Sequence, residues 1–235
     1  MKIIAHRGAC GYEPENTLAS FRKAMAQQAD AIELDVHILE SGELVVIHDH
    51  MVDRTTNGTG YVKDFDFKEL RSLDAGNGEK VPLLHEVFDL IDNKLPIHIE
   101  LKGLGTAIAV AALIAAYKTK KGWREDGFIV SSYNHVELAE FARLLPSIRT
   151  GALFYGIPLE YAAFAERLGS SSLHLSVDLM TQELVDDAHA RGLEVFVETV
   201  NSKIEMRRMY DMGIDGVFTN FPDTARLYLE SVRVV

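Results

Sequence analysis

Short β-rich apolar runs alternate along the chain with longer segments in which apolar residues recur at helical spacing. Eight such runs lie near residues 2–6, 31–37, 97–101, 128–131, 148–153, 172–176, 194–199 and 215–218, and a helix-patterned segment follows each. Repeated strand-then-helix units predict an α/β fold with a parallel sheet, and eight of them favour closure into a (β/α)8 TIM barrel. Start and stop signals support the count. Asn16 is placed to cap a helix carrying Leu18, Phe21 and Met25. Asn134 with Glu137 reads as a capping box with Pro146 beyond the end, and Thr181 as the cap of a helix that turns Leu184, Val185 and Ala188 inward and stops at Gly192. The segment Thr106 to Tyr117 is apolar almost all round, which predicts a well-buried helix.

The alternation breaks once. Residues 43–47 read as a second short strand after Ser41-Gly42, a hairpin extension of the second strand, and residues 49–82 are polar and turn-rich. This is expected to be a small insertion over one barrel mouth, ordered as a cap by Tyr61, Phe65 and Phe67. With 235 residues, 47% of them hydrophobic, the chain has the length and apolar content for one barrel, so residues 1–235 are expected to form a single domain.

The net charge of -11 points away from nucleic acid and from anionic membrane surfaces, and requires a locally positive site for any anionic substrate. The lone Cys10 has no partner for an internal disulfide. The apolar run Ile3 to Ala5 is too short for a signal peptide, and Ala107 to Tyr117 too short to span a bilayer, so a cytoplasmic location with no integral membrane segment is expected. Nothing in the pattern specifies an oligomer.

Charged residues occupy strands that should be apolar. In Ala31 to Val36, Glu33 and Asp35 share one face; in Ile97 to Lys102, alternation puts His98, Glu100 and Lys102 together. In a barrel that face is the interior near the mouth. Three carboxylates converging there repel one another unless a cation or protons neutralise them, and oxygen-only ligation suits a hard divalent ion, Mg²⁺ or Ca²⁺, better than zinc. The alternative is a salt-bridge network with Arg7 and Lys102. His6 and Arg7 end the first strand, at the C-terminal mouth where barrel enzymes keep their chemistry, and His48 ends the hairpin strand. Two histidines can divide general-acid and general-base work on a phosphate ester.

The order of these residues resembles the glycerophosphodiester phosphodiesterase family along nearly the whole chain. The matching motifs are His6-Arg7-Gly8, Pro14-Glu15-Asn16-Thr17, Glu33-Leu34-Asp35-Val36, His48-Asp49, Asp53 to Gly60 and Glu100-Leu101-Lys102, with a looser match from Gly213 to Pro222. The resemblance implies a barrel, a divalent cation (Mg²⁺, Ca²⁺ or Mn²⁺), and hydrolysis of a small-molecule glycerophosphodiester to glycerol 3-phosphate and an alcohol. It implies His6 and His48 as the acid/base pair, Glu33, Asp35 and Glu100 as metal ligands, and Arg7 and Lys102 as phosphate-binding groups. Two positions depart from the family's pattern: Glu198 stands where a tryptophan often precedes Thr-Val-Asn, and Asn220 where an aspartate is often found. Glu198, if it faces the cavity, is a substrate-binding candidate that accepts hydrogen bonds from glycerol hydroxyls or neighbours a cationic alcohol; the alternative is an outward or salt-bridged carboxylate.

Rival readings are a lyase-like phosphodiesterase releasing a cyclic phosphate, a non-catalytic binding barrel, and a metal-dependent aldolase. A binding barrel has no need of a proton-transfer pair, and an aldolase gives no reason for two histidines beside the metal strands. Cys10 reads as a packed thiol, His50 as a loop residue, Trp123 as packing, and Ser131, Ser132, His98 and Asp178 as supporting groups around the site.

Overall fold

The computed structural model describes residues 1–233. In chain order the strands are β1 (Lys2–Ala5), β2 (Ala31–Ile38), β3 (Leu44–Val46), β4 (Ile97–Leu101), β5 (Phe128–Ser132), β6 (Arg149–Phe154), β7 (Ser172–Ser176), β8 (Glu194–Glu198) and β9 (Gly216–Thr219). The helices are α1 (Leu18–Ala26), α2 (Phe67–Ser72), α3 (Leu84–Ile91), α4 (Thr106–Lys121), α5 (His135–Leu144), α6 (Ala163–Arg167), α7 (Gln182–Ala190), α8 (Lys203–Asp211) and α9 (Pro222–Arg233). The sheet runs β1-β9-β8-β7-β6-β5-β4-β2 and closes by parallel pairing of β1 with β2, giving the eight-stranded parallel barrel expected from the strand count. The remaining strand, β3, pairs antiparallel with β2, Val36 opposite Val46 and Ile38 opposite Leu44, as the Ser41-Gly42 turn predicts.

The inward-pointing side chains form stacked layers. Ile4, Ala31, Phe196 and Phe218 pack together inside the barrel, and the rings of His98 and His174 lie against both phenylalanines. Two residues further along each of those strands, on the same face, stand His6, Glu33, Glu198, Asn220, Glu100 and Ser176. An apolar floor thus carries a polar layer at the C-terminal mouth. His98 shares the interior face with Glu100, as alternation predicts, but it belongs to the floor one layer below the mouth and is no part of the site's surroundings. Burial drives His98 well below its ordinary pKa and His174 to about 3, so both rings are neutral.

Three local expectations are corrected. Thr17, not Asn16, caps α1, its hydroxyl accepting from Ser20 N–H; Asn16 is turned inward to Asp35. Asn134 caps α5, but Glu137 does not reach back to it: its carboxylate accepts instead from the N–H groups of Gly105 and Ala107 at the start of α4. Helix α4 is buried on one face only, through Ala107, Val110, Ala111, Ile114 and Tyr117, while Ile108 is 61% exposed. Its low polarity comes from alanines, which suit either environment.

Residues 49–82 hold a small apolar cluster of their own, in which Val52, Val62, Leu70, Ala75 and Val81 pack on Leu39, Val45 and Ile47, with Phe65 and Phe67 against it. Tyr61 lies half-exposed, outside that cluster, bridged through its backbone to Met51. Trp123 packs on Phe88, Tyr117 and Phe128.

The floor is tight at Gly151, where an added Cβ would stand 2.4 Å from His174 Nε2, a nitrogen already paired with Ser172 Oγ at 3.0 Å. Gly151→Ala is therefore expected to lower stability by about 1–3 kcal/mol, read from the urea midpoint; an unchanged midpoint would show that the floor has room to spare.

Candidate active site

The site begins in the loop after β1. Arg7 adopts φ 54° and Gly8 φ 78°, and a side chain at Gly8 would meet the Ser20 backbone at 2.7 Å, so glycine lets this loop press against α1. Pressed there, the Arg7 N–H donates to Glu33 Oε2 at 2.7 Å, while its guanidinium donates from Nη1 to Glu15 at 2.8 Å and places Nε 3.5 Å from Asp35 Oδ2. Asn16 holds Asp35 from the other side: its amide donates to Oδ2 at 2.8 Å and its carbonyl accepts from the Asp35 backbone N–H at 3.3 Å.

Parallel pairing sets Asp35 of β2 beside Glu100 of β4. Glu33, Asp35 and Glu100 are all buried, and an oxygen from each lies within 4.8 Å of the others. Lys102 reaches this cluster, donating from Nζ to Glu100 at 2.8 Å and standing 3.9 Å from Asp35. Two cations beside three carboxylates leave a deficit of positive charge. Burial, Asp35 and Glu100 push Glu33 well above the usual carboxylate range, and burial with Asp35 pushes Glu100 up to about 8, against the pull of Lys102. Closely spaced, oxygen-only, charge-deficient donors fit a hard divalent ion.

The two predicted histidines line one cavity of about 210 Å³ together with Arg7, Glu100, Tyr133, Tyr155, Ser176, Glu198 and Thr199. His6 Nδ1 donates to Asn220 Oδ1 at 2.9 Å, and Asn220 is itself held through its N–H by Asn201 at 2.9 Å. Burial, then the charge of Arg7, lowers His6 to about 4. His48 Nδ1 donates to Asp49 at 2.5 Å and its Nε2 accepts from Lys102 Nζ at 3.2 Å. Burial again lowers its pKa, so each imidazole is neutral at pH 7 with Nε2 left to carry the lone pair. Arg54 grips Asp49 through two nitrogens at 2.7 and 3.0 Å and Glu15 through two at 2.7 and 2.8 Å. One chain of contacts therefore runs from the neutral His48 by a hydrogen bond to Asp49, and on by ion pairs through Arg54 and Glu15 to Arg7, joining the insertion to the barrel.

Glu198 faces the cavity rather than solvent and accepts from Tyr133 OH at 2.8 Å. The structure thus brings together all eight residues singled out from the sequence. It adds Asn16, Glu15, Arg54, Asn220, Tyr133, Tyr155 and Ser176. Glu15 and Arg54 sat inside recognised motifs without an assigned task, and Asn16 reads locally as a helix cap; the tyrosines and Ser176 gave no local signal because only strand closure brings them to the mouth. Ser132 Oγ donates to the Leu101 carbonyl at 2.8 Å, tying the ends of β4 and β5, whereas Asp178 is exposed and His50 packs on His37. Burial raises the Cys10 thiol to about 12, which removes it as a nucleophile.

The raised carboxylates predict a pH-dependent response to a divalent cation. Below about pH 4.5 Glu100 is protonated whether the chain is folded or not; as pH rises towards 8 the unfolded chain loses that proton while the metal-free fold retains it, and the fold loses stability. A bound cation replaces the proton. Excess Mg²⁺ or Ca²⁺ added to chelator-treated protein is therefore expected to raise the Tm more at pH 8 than at pH 5; an equal rise at both would mean that the cation binds elsewhere.

Residues 6–224 match the model of the glycerophosphoryl diester phosphodiesterase family. Similar proteins include the glycerophosphodiester phosphodiesterases of Caldanaerobacter subterraneus, 40% identical over 231 residues (94% of this chain and 95% of that one), and of Bacillus altitudinis, 35% identical over 248 residues (99% of each). A solved structure of an Oleispira antarctica phosphodiesterase, in complex with the product sn-glycerol-3-phosphate, superposes with a TM-score of 0.90 at 30% identity, covering 98% of this chain and 97% of that one. Among the described residues no helix is long and apolar enough to cross a membrane. With a family match over nearly its whole length and the motif residues gathered at one barrel mouth, the chain belongs to the glycerophosphoryl diester phosphodiesterase family.

Proposed function

We propose that the chain hydrolyses glycerophosphodiesters to glycerol 3-phosphate and an alcohol, using His6 and His48 as its proton-transfer pair beside a divalent-cation site formed by Glu33, Asp35 and Glu100. The observation that carries this reading is the placement of both neutral imidazoles around one small cavity whose wall includes Glu100 and Arg7. The product named in the Oleispira antarctica complex supports the substrate class.

Arg7 and Lys102 bind the phosphate. Both are held at the carboxylate cluster by ion pairs, so their charge is preorganised rather than recruited when the diester arrives. A bound Mg²⁺, Ca²⁺ or Mn²⁺ supplies further stabilisation of charge on the phosphoryl oxygens. His48 is oriented by Asp49 at Nδ1, and Lys102 lies at Nε2, where a phosphate can replace the imidazole as the partner of the ammonium. His6 is oriented by Asn220 at Nδ1. One imidazole takes the proton of the attacking oxygen at its free Nε2; the other acts in its imidazolium form, taking up a proton from solvent at Nε2 and delivering it to the leaving alkoxide, each role worth roughly 10²- to 10⁴-fold in rate. Glu198 forms the substrate wall on the β8 side of the cavity.

His48→Ala is expected to keep its far-UV circular dichroism and lose at least about a hundredfold in kcat, and His6→Ala likewise; near-normal turnover by either variant removes that residue from the mechanism. Chelation is expected to abolish release of glycerol 3-phosphate from a panel of glycerophosphodiesters, and Mg²⁺, Ca²⁺ or Mn²⁺ added back singly to restore it. Full activity in excess chelator would overturn the cation requirement. Release of a cyclic phosphate in place of glycerol 3-phosphate would favour the lyase reading.

A further inference from the structure

The cavity has charge of both signs. Arg7 lines it on the β1 side, while Glu198 at the end of β8 supplies a carboxylate that no metal-cluster cation pairs within salt-bridge distance. Its single hydrogen-bond partner among the described residues is the Tyr133 hydroxyl, which occupies Oε1 and leaves Oε2 open. The Tyr133 and Tyr155 side chains complete the wall, 43% and 70% exposed at the mouth. Lys102 Nζ lies over the Tyr133 ring, 5.9 Å from its centroid, so that ring already faces one cation.

We infer that Glu198, Tyr133 and Tyr155 form a pocket for a cationic alcohol group, making zwitterionic diesters, whose leaving alcohol carries an ammonium, the preferred substrates. This rests on the hydrolytic reading above and names the class of alcohol. A carboxylate flanked by aromatic faces is the chemistry that recognises an ammonium, by charge and by cation–π attraction. The dipolar cavity matches a zwitterion end to end: phosphate towards Arg7 and Lys102, ammonium towards Glu198. The net charge of -11 acts in the same direction, since a neutral zwitterion approaches without the repulsion met by a diester of net negative charge. Burial, followed by the nearby Asp35, pushes the Glu198 carboxyl upward in the absence of a cation, a cost that an ammonium at Oε2 offsets.

The test is the ratio of kcat/KM for glycerophosphocholine to that for glycerophosphoglycerol, in the wild-type chain and in Glu198→Gln. A ratio cancels any loss of folded protein. The wild type is expected to favour glycerophosphocholine, and Glu198→Gln to lower the ratio about tenfold or more. An unchanged ratio, including an equal fall in both activities, overturns the ammonium pocket and leaves the hydrolytic reading standing; so does a wild-type preference for glycerophosphoglycerol. Hydrolysis of neither diester by the metal-supplied wild type overturns the phosphodiesterase reading, and this inference with it.

Discussion

Mutual repulsion among three buried carboxylates is the constraint around which the mouth of this barrel is organised. Glu33, Asp35 and Glu100 lie too close together, and too far from water, to ionise together without help. The surrounding structure supplies part of that help and stops short of neutrality. Arg7 contributes a backbone N–H and a guanidinium, Lys102 an ammonium, and Asn16 two hydrogen bonds that carry no charge. The shortfall of positive charge leaves the cluster suited to a cation. The same two cations also border the cavity, Arg7 in its wall and Lys102 beside His48, so the electrostatics of the cluster and of the cavity cannot be separated.

The insertion gains its meaning from the same constraint. Its polar residues partly close turns within the segment and partly tie it to the barrel. Arg54 is held by four hydrogen bonds between Asp49 and Glu15, which fixes Asp49 against His48 and Glu15 against Arg7. Asp53, from the same motif, accepts from Gly60 N–H and closes the turn that carries this segment. The apolar cluster beneath, with Phe65 and Phe67 against it, keeps the arrangement in place. An orienting carboxylate on one imidazole and an orienting amide on the other are different solutions to one problem, that of presenting Nε2 with its lone pair towards the cavity.

Much of this was legible in the sequence. The period-two alternation of Glu33 with Asp35, and of His98 with Glu100 and Lys102, follows from strand geometry alone, so the face each side chain occupies was determined locally. The eight strands, the hairpin on the second and the caps Asn134 and Thr181 were likewise written in short-range pattern. Depth along the barrel axis was not. Alternation gives a face but no height, and strand stagger put His98 in the floor while Glu100, two residues on, reached the mouth. Competition for hydrogen bonds was equally invisible: Asn16 and Glu137 are good capping residues that the fold uses elsewhere, for Asp35 and for the start of α4. The sequence by itself determined which elements form and which residues point inward, because those properties depend on neighbours two to four positions away. Only the tertiary structure decided that Asn220 meets His6, that Tyr133 meets Glu198, and that Arg54 joins Asp49 to Glu15, because the partners in these pairs come from separate segments and meet only when the closed barrel and its insertion bring them together.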